Sequence, residues 1–131
     1  MLFRSMRLRV FKTKEFGRFS RKEKIGDKML CDAVARAERG LIDADLGGGL
    51  IKQRVARQGQ GRSGGFRTLL AYRTQTRSVF VYGFAKSERS NIEPDEQVFW
   101  RKVAAGYLAL SEDVVEAAIT SDELMEVMCD D

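Results

Sequence analysis

An α+β fold is predicted by two changes of period along the chain. Apolar positions recur at helical spacing up to about residue 40, alternate strictly between residues 50 and 86, and return to helical spacing from about residue 94. Three consecutive alternating segments with short connections predict an antiparallel meander. With "RLRVF" near the start, the sheet has about four strands. A length of 131 residues supplies one core of ordinary size, and residues 1–131 are read as one domain, with a basic sheet at about 47–92 and an acidic helical extension at about 93–131.

The first element, "RLRVF" from Arg7 to Phe11, alternates charged and apolar side chains and reads as a short strand with one face buried. Thr13 is a fair helix N-cap, and Phe16, Phe19 and Ser20 follow at helical spacing, although Gly17 weakens that segment. From Gly26 or Asp27 to Arg39, Leu30, Val34 and Ala37 form a stripe widened by Ala33, and Gly40 is a natural C-cap.

After "LIDADLGGG" the period becomes two. "LIKQRVAR" places Lys52, Arg54 and Ala56 opposite Ile51, Gln53 and Val55. "GGFRTLLAYR" places Phe66, Thr68, Leu70 and Tyr72 opposite Arg67, Leu69, Ala71 and Arg73. "RSVFVYGFAK" places Val79, Val81 and Ala85 opposite Phe80, Tyr82, Phe84 and Lys86. Gln58 to Gly65, "QGQGRSGG", is glycine-rich enough to predict a mobile hairpin loop, and Thr74 to Thr76 a tight turn. Pro94 then suits a first helical position, followed by Asp95 and Glu96 at the positive end of the helix dipole. Val98, Trp100, Val103, Ala104 and Tyr107 can form its apolar stripe. Ser111 is an N-cap for another helix carrying Val114, Val115, Ala118 and Ile119, and "SDELMEVMCDD" reads as a last helical turn or two.

Composition removes several function classes. There is no histidine, so the commonest general base and the commonest zinc ligand are missing. Neither "GGG" at Gly47 to Gly49 nor "GQGRSGG" opens a helix, which argues against a phosphate-cradling loop. Cys31 and Cys129, far apart and without metal-ligand spacing, are expected to be free thiols in a reducing cytoplasm. No apolar run approaches the ~20 residues of a membrane span, and the charged start does not read as a signal peptide. No cofactor is implied.

The charge is distributed unevenly. Residues 1–90 hold 21 Lys and Arg against 8 Asp and Glu, net +13, whereas residues 91–131 hold 2 against 11, net −9, which together give the chain's +4. Such a split points to a polyanion-facing body with an acidic appendage that screens it or keeps it soluble. Gly47 to Arg73 carries six basic residues and no acid. Alternation puts Lys52 and Arg54 on one face, and a meander can bring Arg67 and Lys86 onto the same face of neighbouring strands, with Arg57, Arg62, Arg73 and Arg89 around them. A phosphodiester backbone neutralises such a cluster, and Tyr82 and Phe84 among the cations could stack on unpaired bases. The plainer alternatives are arginines snorkelling over apolar surface and aromatic side chains that are simply core.

"LIKQRVAR", "SGGFR" and "VFVYGFAKSERSNI", in that order over about residues 47–92 and after a helical segment, resemble the RelE/HigB-type toxins of bacterial type II toxin–antitoxin systems. That resemblance implies a small antiparallel sheet with an N-terminal helical hairpin packed on one side, C-terminal helices, and a concave basic face. It implies metal-independent endoribonucleolytic cleavage of messenger RNA, in many members on the ribosome, by attack of the 2′-hydroxyl on the adjacent phosphate. Arginine and lysine would stabilise the charge that develops, and a lysine crowded by cations could take part in proton transfer. Carried over by position, Lys52 and Arg54 match the paired basic residues of the first active strand, Arg67 matches the residue that stabilises the transition-state phosphate, and Lys86 and Arg89 lie near the leaving group. Arg57, Arg62, Arg73, Tyr82, Phe84 and Arg89 are assigned to RNA binding. Some members place a tyrosine shortly after that segment; "SNIEP" offers none.

The resemblance also implies a cognate antitoxin, often with a helix-turn-helix domain, while the charged start and the lack of a long apolar run make a cytoplasmic setting without a membrane the expectation. Two other functions fit the same basic face: a nucleic-acid-binding module without catalysis, and a protein that pairs with an acidic antitoxin-like peptide.

Overall fold

The computed structural model describes residues 8–57 and 61–129. Its elements are β1 (Arg9–Thr13), α1 (Lys14–Lys22), α2 (Asp27–Glu38), β2 (Ala44–Gly47), β3 (Leu50–Arg57), β4 (Gly61–Arg73), β5 (Arg77–Ala85), α3 (Pro94–Ala109), α4 (Glu112–Thr120) and β6 (Leu124–Glu126).

Local signals set the helix starts. The Thr13 hydroxyl accepts from the Phe16 N–H and the Ser111 hydroxyl from the Val114 N–H, satisfying one orphan donor at each N-terminus. Pro94 opens α3, where Glu93 and Glu96 form a reciprocal capping box. Gly40, just past α2, has φ +84°, which an L side chain rarely adopts. In α3 the buried positions are Ala104 and Leu108, whereas Val98, expected in the apolar stripe, is exposed, as is Val114 in α4.

Among the described residues, six strands form one mixed sheet in the order β2-β3-β4-β5-β1-β6. The meander β3-β4-β5 is antiparallel, as expected, but the sheet exceeds four strands and is not wholly antiparallel. β1 runs parallel to β5, with Arg9 opposite Arg77 and Lys12 opposite Phe80. "LIDADLG" supplies the short edge strand β2, joined to β3 by a turn in which Gly47, Gly48 and Gly49 all have positive φ. The tail expected to be helical supplies β6, antiparallel to β1. These strands are short and gain their stability from partners distant in sequence, so their own periodicity is weak.

Gly61–Gly65, expected in a mobile loop, belong to β4, and Arg57 lies opposite Gly61. The remainder of that loop, residues 58–60, and the Arg7 end of the first strand lie outside the described residues. Gly65 allows the close approach of β3 and β4: a Cβ there would sit 2.5 Å from the Val55 carbonyl oxygen. A second irregularity lies between Leu69 and Leu70, where Leu69 faces Tyr82 and Leu70 faces Phe80. The extra residue on β5 reverses its alternation. Phe80 and Ala85 therefore join one core layer, while Val79, Val81, Tyr82 and Phe84 join or pack on the other, in place of the single alternating face expected.

Both faces of the sheet are covered. Phe16 of α1 and Leu30, Val34 and Ala37 of α2 pack with Ile51, Val55, Phe66, Leu70 and Phe80 on one side. Ala104 and Leu108 of α3 and Val115 of α4 pack with Phe11, Leu50, Leu69, Val79 and Leu124 on the other. Each fully buried Leu, Val or Phe side chain contributes about 1.5–3 kcal/mol. The N-terminal helices expected on one side and the C-terminal helices expected against the sheet thus give two core layers, with one end of the second face left outside the apolar layer.

Cys31 and Cys129 are joined in a disulfide with a Cα–Cα distance of 5.7 Å, which corrects the expectation of free thiols. The bond ties the segment after β6 to α2. That segment also donates from the Val127 N–H to the Val10 carbonyl and from the Met128 N–H to Asp27. No helix among the described residues is long and apolar enough to cross a membrane.

Candidate functional site

The uncovered end of the second face is built from three neighbouring strands. Regular alternation through residues 50–55 and 66–71 sends Lys52, Arg54 and Arg67 to the side that buries Leu50, Leu69 and Ala71. Lys52 lies opposite Leu69, which lies opposite Tyr82. In the next row Arg54 lies opposite Arg67, which lies opposite Phe84. Two arginines directly across an antiparallel ladder repel one another.

Nothing among the described residues compensates that pair. Arg54 Nε and Arg67 Nη1 are buried and have no hydrogen-bond partner. The Arg54 backbone is well held, its N–H donating to Asp43 and its carbonyl accepting from Arg36. The strand is therefore fixed while the guanidinium is left without an acceptor. A buried unsatisfied donor costs about 1–3 kcal/mol, and more when charged.

The remaining predicted residues take distinct positions. Lys52 Nζ donates to Asn91 Oδ1 at 3.2 Å, and the same oxygen accepts from the Ile92 N–H at 2.9 Å. Arg89 is held by Glu96 through two bonds, at 2.6 and 3.2 Å, and donates to the Tyr82 hydroxyl at 3.2 Å. The Glu96 hydrogen bonds raise the affinity of Arg89 for its proton and hold the Glu96 carboxyl below its ordinary value. The Arg89 guanidinium lies 5.3 Å from the centre of the Phe84 ring. Phe84 is only 4% exposed, so an incoming base meets Arg89 before that ring. Tyr82 is half-buried and stacks on Trp100 at 5.0 Å. Lys86 is exposed in the turn just after β5.

Arg73 is not part of this group. It lies six residues beyond Arg67 along β4, about 20 Å at the rise of a strand, and opposite Arg77. The side chains of Arg57 and Arg62 lie outside the described residues. Asn91, Glu96 and Trp100 were not expected at the site; Trp100 was read only as part of the apolar stripe of α3. No local pattern marks Asn91. Glu96 carried a signal only as a first-turn acid, which α3 needs in any case.

The acidic segment is attached to other cations. Glu112 meets Arg77 at 2.8 Å and Arg9 at 3.4 Å; Glu116 and Glu126 meet Arg9 at 2.9 and 2.8 Å. With Glu96 on Arg89, these acids neutralise the far end of the face and its rim. Lys52, Arg54, Arg67 and Lys86 remain as positive charge without acidic partners among the described residues.

No curated protein matches the chain. A family model does, over residues 8–127, which takes in every strand and helix described above, and its description is the RelE toxin of the RelE / RelB toxin–antitoxin system. The chain belongs to the RelE toxin family, the toxin half of toxin–antitoxin systems, and its family partner is an antitoxin.

Proposed function

We propose that this toxin is an endoribonuclease that cuts messenger RNA, with the message presented on the ribosome, and that Arg54, Arg67 and Lys52 surround the scissile phosphate. The observation that carries this reading is the Arg54–Arg67 pair, with two buried guanidinium nitrogens that have no acceptor. A phosphodiester supplies both the acceptors and the negative charge, and the pentacoordinate state reached in cleavage supplies more of each. Donors fixed before the substrate arrives stabilise that state most effectively. In the reaction the 2′-oxygen bonds to the adjacent phosphorus as its proton leaves, and the bond from phosphorus to the 5′-oxygen breaks. The products are a 2′,3′-cyclic phosphate and a 5′-hydroxyl end. Lys52, oriented by Asn91, handles the proton at the 2′-hydroxyl, and Lys86 delivers one to the departing 5′-oxygen. Arg89 binds flanking phosphate once it leaves Glu96.

Induction without antitoxin is expected to arrest growth and to produce discrete new 5′ ends in cellular messages, and Arg67→Ala is expected to abolish both while folding normally. Intact message from the purified wild type, alone and with ribosomes, together with undiminished toxicity of Arg67→Ala, overturns the reading.

A further inference from the structure

The pairing of β1 with β5 ends at Lys12 opposite Phe80, so beyond that point β5 keeps β4 on one side and, among the described residues, has no strand on its β1 side. A cleft of about 410 Å³ opens there. Its walls are Glu15 and Phe19 of α1 on one side and Trp100 of α3 on the other, and its floor is Val81, Tyr82 and Gly83 of β5. The size falls within the range of small-ligand sites.

We infer that this cleft is a nucleobase subsite, which takes an unpaired base of the same RNA strand held at Arg54 and Arg67 and favours a base bearing an amino group, guanine above all. The inference rests on the RNA-cleaving reading above and extends it to sequence preference. Three observations support it.

The first is continuity. Tyr82 belongs to both places: its hydroxyl accepts from Arg89 at the rim of the cationic cluster, and its ring stacks on Trp100 in the cleft wall. The cleft lies one strand position beyond β5, about 10 Å from the Arg67 strand at ordinary strand spacing. A nucleotide flanking the scissile phosphate can reach it. The second is the lining. Phe19 and the mutually stacked Tyr82–Trp100 pair line the cleft with aromatic rings, and the ring surface outside that stack holds a base by stacking. The third is charge. Glu15 is the one ionisable acid or base in the lining besides the Tyr82 phenol. An ionised carboxylate only accepts hydrogen bonds. Guanine offers a ring N–H and an amino group side by side, matching both oxygens. Adenine and cytosine offer an amino group alone. Uracil offers one ring N–H between two carbonyls that the carboxylate repels.

Trp100 is the only tryptophan in the chain, so its fluorescence reports on the cleft directly. The probes are uncleavable 2′-O-methyl hexaribonucleotides, all uridine except for a single guanosine moved through the six positions, with affinity measured by anisotropy. The expected result is saturable quenching of Trp100 and, at one position, at least fivefold tighter binding of guanosine than of uridine. Glu15→Gln, an exposed change on α1, should reduce that preference below twofold by weakening the guanosine hexamer, while the all-uridine hexamer binds no more weakly than it does to wild type. If RNA binds, and binding is lost in Arg67→Ala, but Trp100 is not quenched or the guanosine preference survives Glu15→Gln, the cleft proposal is overturned and the RNA reading stands. If wild type binds no hexamer yet cuts message on the ribosome, the cleft proposal is overturned and the RNA reading stands; if it neither binds hexamer nor cuts message with ribosomes, both are overturned. Quenching by purified antitoxin and not by RNA also overturns the proposal, in favour of a protein occupant.

Discussion

Arg9 lies opposite Arg77 at one end of the sheet, and Arg54 lies opposite Arg67 at the other. Both pairs face the side covered by α3 and α4, and both set like charges across a ladder. The first pair is fully compensated. Arg77 donates to the carbonyls of Tyr107 and Leu110 and to Glu112, and Arg9 is held by Glu112, Glu116 and Glu126. The second pair has buried nitrogens with nothing to bind. One pair locks the end of α3 and α4 onto the sheet. The other has no counter-charge among the described residues, and the proposed phosphate site rests on that difference. Arginine content alone does not separate the two roles; the counter-charges do.

Removing one member of each pair separates the two roles. Arg67→Ala should lower the cleavage rate by roughly 10²–10³, the range for loss of one transition-state donor, and should leave the thermal midpoint unchanged or raise it, since repulsion with Arg54 is relieved. Reduced stability with cleavage retained would reverse the assignment. Arg77→Ala should do the opposite. Losing a buried guanidinium with three acceptors is expected to cost about 3 kcal/mol in denaturant unfolding, while cleavage below the transition stays at the wild-type rate.

Two smaller effects refine that separation. Asn91→Ala should slow cleavage about tenfold with little change in stability, as expected when one orienting hydrogen bond is removed, and combining it with Lys52→Ala should add nothing to the Lys52→Ala loss. Additive losses would separate Asn91 from Lys52. Glu96→Gln should release Arg89, tightening RNA binding a few-fold and steepening its salt dependence by about one phosphate contact. The pH dependence follows from the same pair. Arg89 holds the Glu96 carboxyl below its ordinary value, so the ion pair is intact at neutral pH and its contribution to stability is lost only as pH falls through that lowered value. Wild type should therefore approach Glu96→Gln behaviour only in acid. Tight binding by wild type at neutral pH, equal to the variant's, would show that Glu96 does not restrain Arg89.

Much of the fold was legible because its signals are local. Thr13, Ser111, Pro94 and Gly40 mark helix ends through hydrogen bonds or backbone angles within a few residues. Lys52, Arg54 and Arg67 were legible for a similar reason, since their stretches of β3 and β4 alternate without interruption. Tyr82 and Phe84 were not placed correctly relative to Phe80, because one extra residue in β5 reverses the alternation and nothing in "SVFVYGF" announces it. β2 and β6 were missed because each is short and owes its conformation to a partner strand.

An α+β chain with a dense cationic strand pair, an acidic C-terminal third and family features over residues 47–92 follows from the order of the residues alone. Periodicity, capping and charge counts are properties of neighbouring residues, and they survive without a fold. Only the tertiary structure decided that β1 runs parallel to β5, that Cys31 and Cys129 meet, and which cations the acids neutralise. The strand pairing, the disulfide and the ion pairs of Arg77 and Arg9 join groups 35 to 117 residues apart, and Coulomb attraction, hydrogen bonding and covalent linkage act at a few ångströms, a distance that only the folded chain defines.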